Sequence, residues 1–254
     1  MTNDNIPPDV LKDLAPGGRL RVAINFGNPV LAQKDPATGE PRGVSAELAR
    51  ELGRRLGLPV DFVTYPGAGQ VTDALKSDAW DVCFLAVDPV RAAGLTFTAP
   101  YVLIEGTYLV PTDSPLRAIE DVDRDGVRIA VGRGSAYDLF LTRELKHATI
   151  VRAATSAEAL ELFQTDHLEA GAGVRQPLVV FAKSHPEVRV LDGRFMAIEQ
   201  AVGTPKSRAG AGARYLREFV EEMKSSGFVA RALQASGQPD ATVAPAAASP
   251  SPAP

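Results

Sequence analysis

The chain has 254 residues, 45% of them hydrophobic, with 27 basic against 31 acidic side chains and a net charge of -4. That length suffices for one large core or two smaller ones, and the charge balance offers no basic block of the kind a phosphate backbone requires, so nucleic acid is not an expected partner. Cys83 is the single cysteine and lies in the apolar run 82–87, and the three histidines are scattered, which leaves neither a disulfide framework nor a metal or cofactor site to expect.

No stretch reaches the roughly 18 consecutive apolar residues of a membrane span. Residues 1–16 are acidic and proline-bearing, without a basic segment leading into an apolar one, and read as part of an N-terminal extension over 1–19 rather than as an export signal. From there the chain alternates. A β-type run at 20–24 precedes a helix starting at Ser45, whose Val44, Leu48, Leu52 and Leu56 recur every fourth residue. Ser45 reads as its N-cap, and Gly57 with Pro59 as its stop. Further β-type runs at 60–65 and 81–87 flank a helix near 71–77, and such alternation predicts βαβ units on a mainly parallel sheet.

The pattern restarts after 108–110 with a strand at 127–131, a helix over 135–145 and a strand at 149–152. Thr155 and Glu158, in capping-box spacing, open the next helix. An apolar run at 170–174, a helix at 177–184 and a strand at 188–191 complete a second α/β unit. Residues 209–233 read as helices with Tyr215, Leu216, Phe219, Val220 and Met223 on one face. Residues 236–254, a Pro/Ala/Ser segment without apolar periodicity, read as a disordered and dispensable tail. No internal repeat of about 20 to 50 residues is present.

Three groups of residues carry chemistry. Arg91 presents two parallel N–H donors that match a carboxylate and stays charged when desolvated; on its own residues alone it reads better as a solvated arginine near the start of a short helix. Gly134, Ser135 and Ala136 form a turn running into a helix, whose free backbone amides suit an anion, although Ser135 also reads simply as a cap. Asn25, Phe26 and Asn28 follow the first strand, at the carboxyl edge where open α/β sheets bind ligands; a polar turn explains them as well.

The run DVCFLAVDPVRAAGLTFTAPY, residues 81–101, sets Arg91 before Phe97, Thr98, Pro100 and Tyr101. With LRVAI, GVSAELARELG, GVRIAVGRGSAYDLFL and SSGFVARAL in the same order, it resembles the amino-acid-type periplasmic solute-binding proteins, extracellular solute-binding family three. The resemblance covers about residues 18 to 235. It implies an α/β, two-lobed periplasmic-binding-protein type 2 fold, with residues 20–105 and 200–235 in the first lobe and 106–199 in the second. The two hinge crossings would lie near 105–108 and 198–203. In such proteins the arginine and the glycine-rich turn hold the ligand carboxylate from opposite lobes, and the hinge closes around it.

The resemblance lapses where Ala86 replaces a serine or threonine hydroxyl and where Val174 replaces the aspartate that meets an α-ammonium. Residues 66–69 also lack the usual aromatic wall. Replacement acids are Asp88, Glu105 and Glu199, although Asp88 before Pro89 is equally an N-cap followed by an N1 proline, and Arg175 and Gln176 are further residues that could face the cleft. The expected function is the solute-binding component of an ABC-type uptake system, a periplasmic monomer that binds an amino acid or small carboxylate and meets a membrane permease. A dehydratase-like enzyme acting on a cyclic carboxylate, or a cytoplasmic sensory module, are the alternatives.

Overall fold

The structure is a computed structural model that describes residues 6–248; residues 1–5 of the extension and 249–254 of the tail lie outside the described residues. An initial helix α1 (Pro8–Leu14), within what the sequence presents as an extension, buries Val10 and Leu14 against the helix α8 (Ala211–Ser225). Asp13 Oδ2 accepts a hydrogen bond from the Gly212 amide at 2.9 Å, so α1 caps a helix remote in sequence.

Next come β1 (Leu20–Asn25), the short hairpin strands β2 (Gln33–Lys34) and β3 (Pro41–Arg42), and α2 (Val44–Leu56). The fourfold apolar stripe of α2 is buried as its spacing predicts, and Gly57, at φ +68°, ends it in the left-handed conformation. Its N-cap, however, is Gly43 rather than Ser45. At Gly43 φ is +102°, and a Cβ there would meet the Leu31 carbonyl oxygen at 2.6 Å, so backbone crowding and not a capping hydroxyl selects the residue. Ser45 sits buried at the second position of the helix, its hydroxyl 3.0 Å from the Tyr101 hydroxyl.

The chain continues through β4 (Val60–Tyr65), α3 (Ala68–Asp73) with a 3₁₀ turn over Ala74–Ser77, and β5 (Val82–Ala86). It then forms the one-turn α4 (Pro89–Ala92), β6 (Leu95–Phe97) and the long β7 (Val102–Pro111). Strands β4, β1 and β5 pair in parallel. Val82, Phe84 and Ala86 of β5 pack into the core beneath α2, while Cys83 and Leu85 pack on the other face with Val71 and Trp80. Cover on both faces is why this strand reads as an unbroken apolar run. Burial pushes the Cys83 thiol up to about 12, consistent with a packing role.

The second unit comprises β8 (Arg128–Gly132), α5 (Ala136–Glu144), β9 (Thr149–Ala153), α6 (Ser156–Thr165), β10 (Ala170–Val174), α7 (Arg175–Ser184) and β11 (Val188–Val190). Helix α7 begins two residues before Pro177, which therefore lies inside its first turn. Thr155 caps α6 by accepting from the Glu158 amide, and Glu158 reaches back to the Ala154 amide, one residue ahead of the cap. The chain returns through β12 (Met196–Pro205) to α8, α9 (Phe228–Ala235) and a final β13 (Thr242–Val243).

The strand order β4-β1-β5-β12-β7-β10-β8-β9 places one parallel group at each end of a curled sheet. The antiparallel pair β12 and β7, in register from Met196 opposite Gly106 to Gln200 opposite Val102, joins the two lobes.

The reading of residues 236–254 as unfolded gives way over 237–248. Thr242 and Val243 pair with Leu103 and Val102 of β7, the Ala244 amide donates to the Tyr101 carbonyl, and Ala241 and Ala244 are buried. Lys224 Nζ donates to the carbonyls of Pro100 and Pro245, tying this segment to α8. A few ladder bonds and two alanines give no periodicity to read, which is why the segment looks featureless in sequence. Ending the chain after Gln238 is expected to lose about 2 kcal/mol, from the apolar burial and hydrogen bonds together. Thermal unfolding should show this as a fall in Tm of about 4–8 °C; an unchanged Tm would mean that the strand adds no stability.

Candidate functional site

The carboxyl ends of β1 and β5 point toward the second lobe, and loops from both lobes enclose a cavity of about 40 Å³ between them. Asn25, Asn28, Ala86 and Arg91 come to this cavity from the first lobe, and Ser135, Ala136 and Val174 from the second.

Arg91 is 4% exposed, on the short helix α4. Asp88 creates that helix by accepting the Val90 amide at 2.8 Å, with Pro89 behind it. The Arg91 guanidinium donates from Nη1 to the Ala86 carbonyl at 2.9 Å and from Nη2 to the Gly134 carbonyl, in the other lobe, at 2.8 Å. Its Nε is buried without a partner. Desolvation lowers its pKa to about 10, against an upward pull from Asp88. A buried cation held only by neutral carbonyls favours an anion at its open edge.

Ser135 behaves as the cap its position suggests, accepting the Asp138 amide at 3.1 Å, and it also lines the cavity. The Ala136 amide opens helix α5, where the first turn has no intrahelical acceptors, and is available to an anion. Gly134 differs from its expected role. Its φ of +69° turns its own amide away to Asp138 Oδ2 at 2.8 Å, so it offers its carbonyl to Arg91 and no donor to a ligand. Asp138 is held in turn by Arg152 Nε at 2.9 Å.

Four other expected residues stand apart from the cavity. Phe26 packs against the main core, because the side chain after the end of β1 turns inward. Asp88 is consumed by its cap and by Arg143 Nη1 of the second lobe at 2.9 Å. Glu105 pairs with Arg175 Nε at 2.7 Å and Arg194 Nη1 at 3.1 Å, and the Arg175 bond holds its carboxyl below the usual range. Glu199 is exposed, because Ile198 and Gln200 on either side of it in β12 take the cavity face. Arg175 and Gln176 line a separate groove of about 630 Å³ beside the C-terminal segment.

The cavity also contains residues that sequence reasoning missed. Gln200 is a buried amide in an otherwise apolar stretch of β12, and that contrast is the one signal that could have marked it. Tyr137 and Ser156, in the first turns of α5 and α6 and 19 positions apart, meet Oη to Oγ at 2.6 Å, which no local pattern discloses. Among the described residues lining the cavity, none is Asp or Glu, and Arg91 and Arg133 bring its only formal charges.

The lobes also touch directly. Gln70 Nε2 donates to the Ala154 carbonyl at 3.3 Å. Gly69 and Gly134 lie so close that a Cβ on Gly134 would fall 2.7 Å from the Gly69 Cα.

This architecture recurs among solved proteins. A mutant of ArgBP from T. maritima superposes with a TM-score of 0.75 at 20% identity, covering 89% of this chain and 98% of the other. The cysteine-binding protein from Campylobacter jejuni gives 0.75 at 18% identity, over 89% and 92%. An ancestral amino acid-binding protein described as a precursor of cyclohexadienyl dehydratase gives 0.72 at 23% identity, over 89% and 98%. In sequence, the glutamine-binding protein of Geobacillus stearothermophilus is 20% identical over 210 residues, 81% of this chain and 79% of that one. Residues 20–235 match the model of the bacterial extracellular solute-binding proteins, family 3, and the chain belongs to that family.

Proposed function

We propose that this protein is the periplasmic receptor of an ABC-type uptake system, capturing a small carboxylate between its lobes and presenting it to a membrane permease. The observation that carries the reading is Arg91, a buried guanidinium at the lobe interface whose Nε has no partner and whose other donors reach only carbonyls. A carboxylate would take the open edge of Arg91 from the first lobe and the Ala136 amide from the second, so one ligand would join both. In this reading residues 20–105 and 200–235 form the first lobe and 106–199 the second, with β7 and β12 as the hinge.

Turnover is disfavoured by the groups present. The described cavity lining has hydroxyls on Ser135, Tyr137, Thr155 and Ser156 but no carboxylate or imidazole beside them to move a proton. A receptor needs none.

The test is a thermal-shift screen of carboxylates across several skeletons, with and without amine and hydroxyl substituents. A ligand present at about 100 times its Kd should stabilise by about 2.7 kcal/mol, or about 5–11 °C in Tm. Stabilisation by amines or neutral sugars alone, with every carboxylate inert, would overturn the assignment.

A further inference from the structure

Resting on the carboxylate reading above, we infer that the preferred ligand bears a neutral hydroxyl where an amino acid bears its ammonium, so that this receptor selects a hydroxy acid. The first support is the charge of the wall. An α-ammonium enclosed here would sit beside the buried Arg91 and near Arg133 with no described carboxylate on the lining.

Each acid on the neighbouring segments is committed elsewhere. Asp88 holds the Val90 amide and Arg143, and Asp138 holds the Gly134 amide and Arg152. Glu158 holds the Ala154 amide, Glu105 is shared by two arginines, and Glu199 lies on the solvent side of β12. Val174, 8% exposed, presents only methyl groups to the cavity.

The second support is independent and polar. Asn28 lines the same cavity, is 7% exposed, and its Oδ1 is buried without a hydrogen-bond partner. A buried carboxamide oxygen needs a donor, and protein groups supply none here. Gln200, also buried on this wall, is a second neutral amide. A hydroxyl fits both requirements. It carries no charge to be desolvated beside Arg91, it donates to Asn28 Oδ1, and its lone pairs accept from an amide N–H. An unsubstituted acid would leave Asn28 unsatisfied, and an amino acid would satisfy it only by burying a cation beside another.

Isothermal titration calorimetry at pH 7.5 on the full chain tests this with three matched sets: L-leucine, 2-hydroxyisocaproate and isocaproate; L-glutamate, 2-hydroxyglutarate and glutarate; L-phenylalanine, phenyllactate and hydrocinnamate. In a set that binds, the hydroxy acid is expected to bind at least tenfold tighter than both companions. Asn28→Ala should reduce it to the affinity of the unsubstituted acid, and Val174→Asp should raise the amino acid at least tenfold. Asn28→Asp, closer in shape to the native residue, gives a second route to the amino-acid preference if Asn28→Ala fails to fold. An amino acid that binds as well as the hydroxy acid, or a hydroxy acid no better than its unsubstituted partner, overturns the inference. If Arg91→Ala abolishes that binding, the carboxylate reading stands without it. Failure of all nine compounds and of the wider screen to bind would remove both.

Discussion

Arg91→Ala should abolish carboxylate binding while leaving the fold in place. The guanidinium is buried on α4, its Nη1 and Nη2 are held by the Ala86 and Gly134 carbonyls, and its Nε is open. Truncating one member of a desolvated, charge-assisted pair costs about 2–5 kcal/mol, so affinity should fall from about 30-fold to several thousand-fold. Arg91→Lys should not rescue it, because an ammonium cannot reach two lobes with a planar fork.

Stability should behave differently. Burial depresses the pKa of this group to about 10, meaning that the folded protein holds the cation at a disadvantage. For a cationic group lowered in this way the unfolded chain binds more protons between the folded and unfolded pKa values, so its unfavourable share of stability is present below about 10 and fades as the pH rises above it. Arg91→Met, which keeps volume and removes charge, is therefore expected to match or exceed wild type in Tm at pH 7 while failing to bind. Undiminished affinity in calorimetry would show that the ligand is held elsewhere.

Legibility in the sequence followed the range of the interaction. The stripe of α2, the double-faced run of β5 and the Asp88–Pro89 start of α4 are local patterns, and they fold as their residues dictate. Residues placed by distant contacts were opaque. Gly43 displaces Ser45 as a cap only because the Leu31 carbonyl crowds it. Thr242 and Val243 become a strand only because the edge of β7 is there to receive them. Within the site, Arg91, Ser135 and the Asn25 and Asn28 turn lie at ends of elements that could be placed in advance, and they do converge on one cavity. Glu105 illustrates the converse. Its position on a crossing strand was foreseeable, but its two arginine partners come from residues 175 and 194, about 70 to 90 positions away along the chain, and they fix it on a different surface.

Gly69→Ala should weaken every ligand by a similar factor without harming the fold. Gly69 lies in α3 of the first lobe, and the three atoms nearest a Cβ built on it are Arg133 O at 2.7 Å, Arg133 C at 3.4 Å and Gly134 Cα at 3.5 Å, all in the second lobe. Within its own lobe the methyl meets nothing as close, and alanine suits a helix better than glycine. The added methyl therefore acts as a wedge that is felt only when the lobes come together. Overpacking of this kind costs about 1–3 kcal/mol. Because apparent affinity scales with the fraction of molecules able to close, binding should weaken from about fivefold to about 150-fold. Gly134→Ala meets the same contact from the other side, with its Cβ 2.7 Å from the Gly69 Cα, but it also forces alanine into a φ of +69° and should lose stability as well. The comparison separates closure from folding. Gly69→Ala is expected to keep or slightly raise Tm, to show a larger radius of gyration by solution scattering in the presence of saturating ligand, and to reduce the affinities of good and poor ligands in parallel. A loss confined to one ligand would place Gly69 in the binding surface itself, and unchanged affinities would mean that the ligand-bound lobes stop short of the approach seen here.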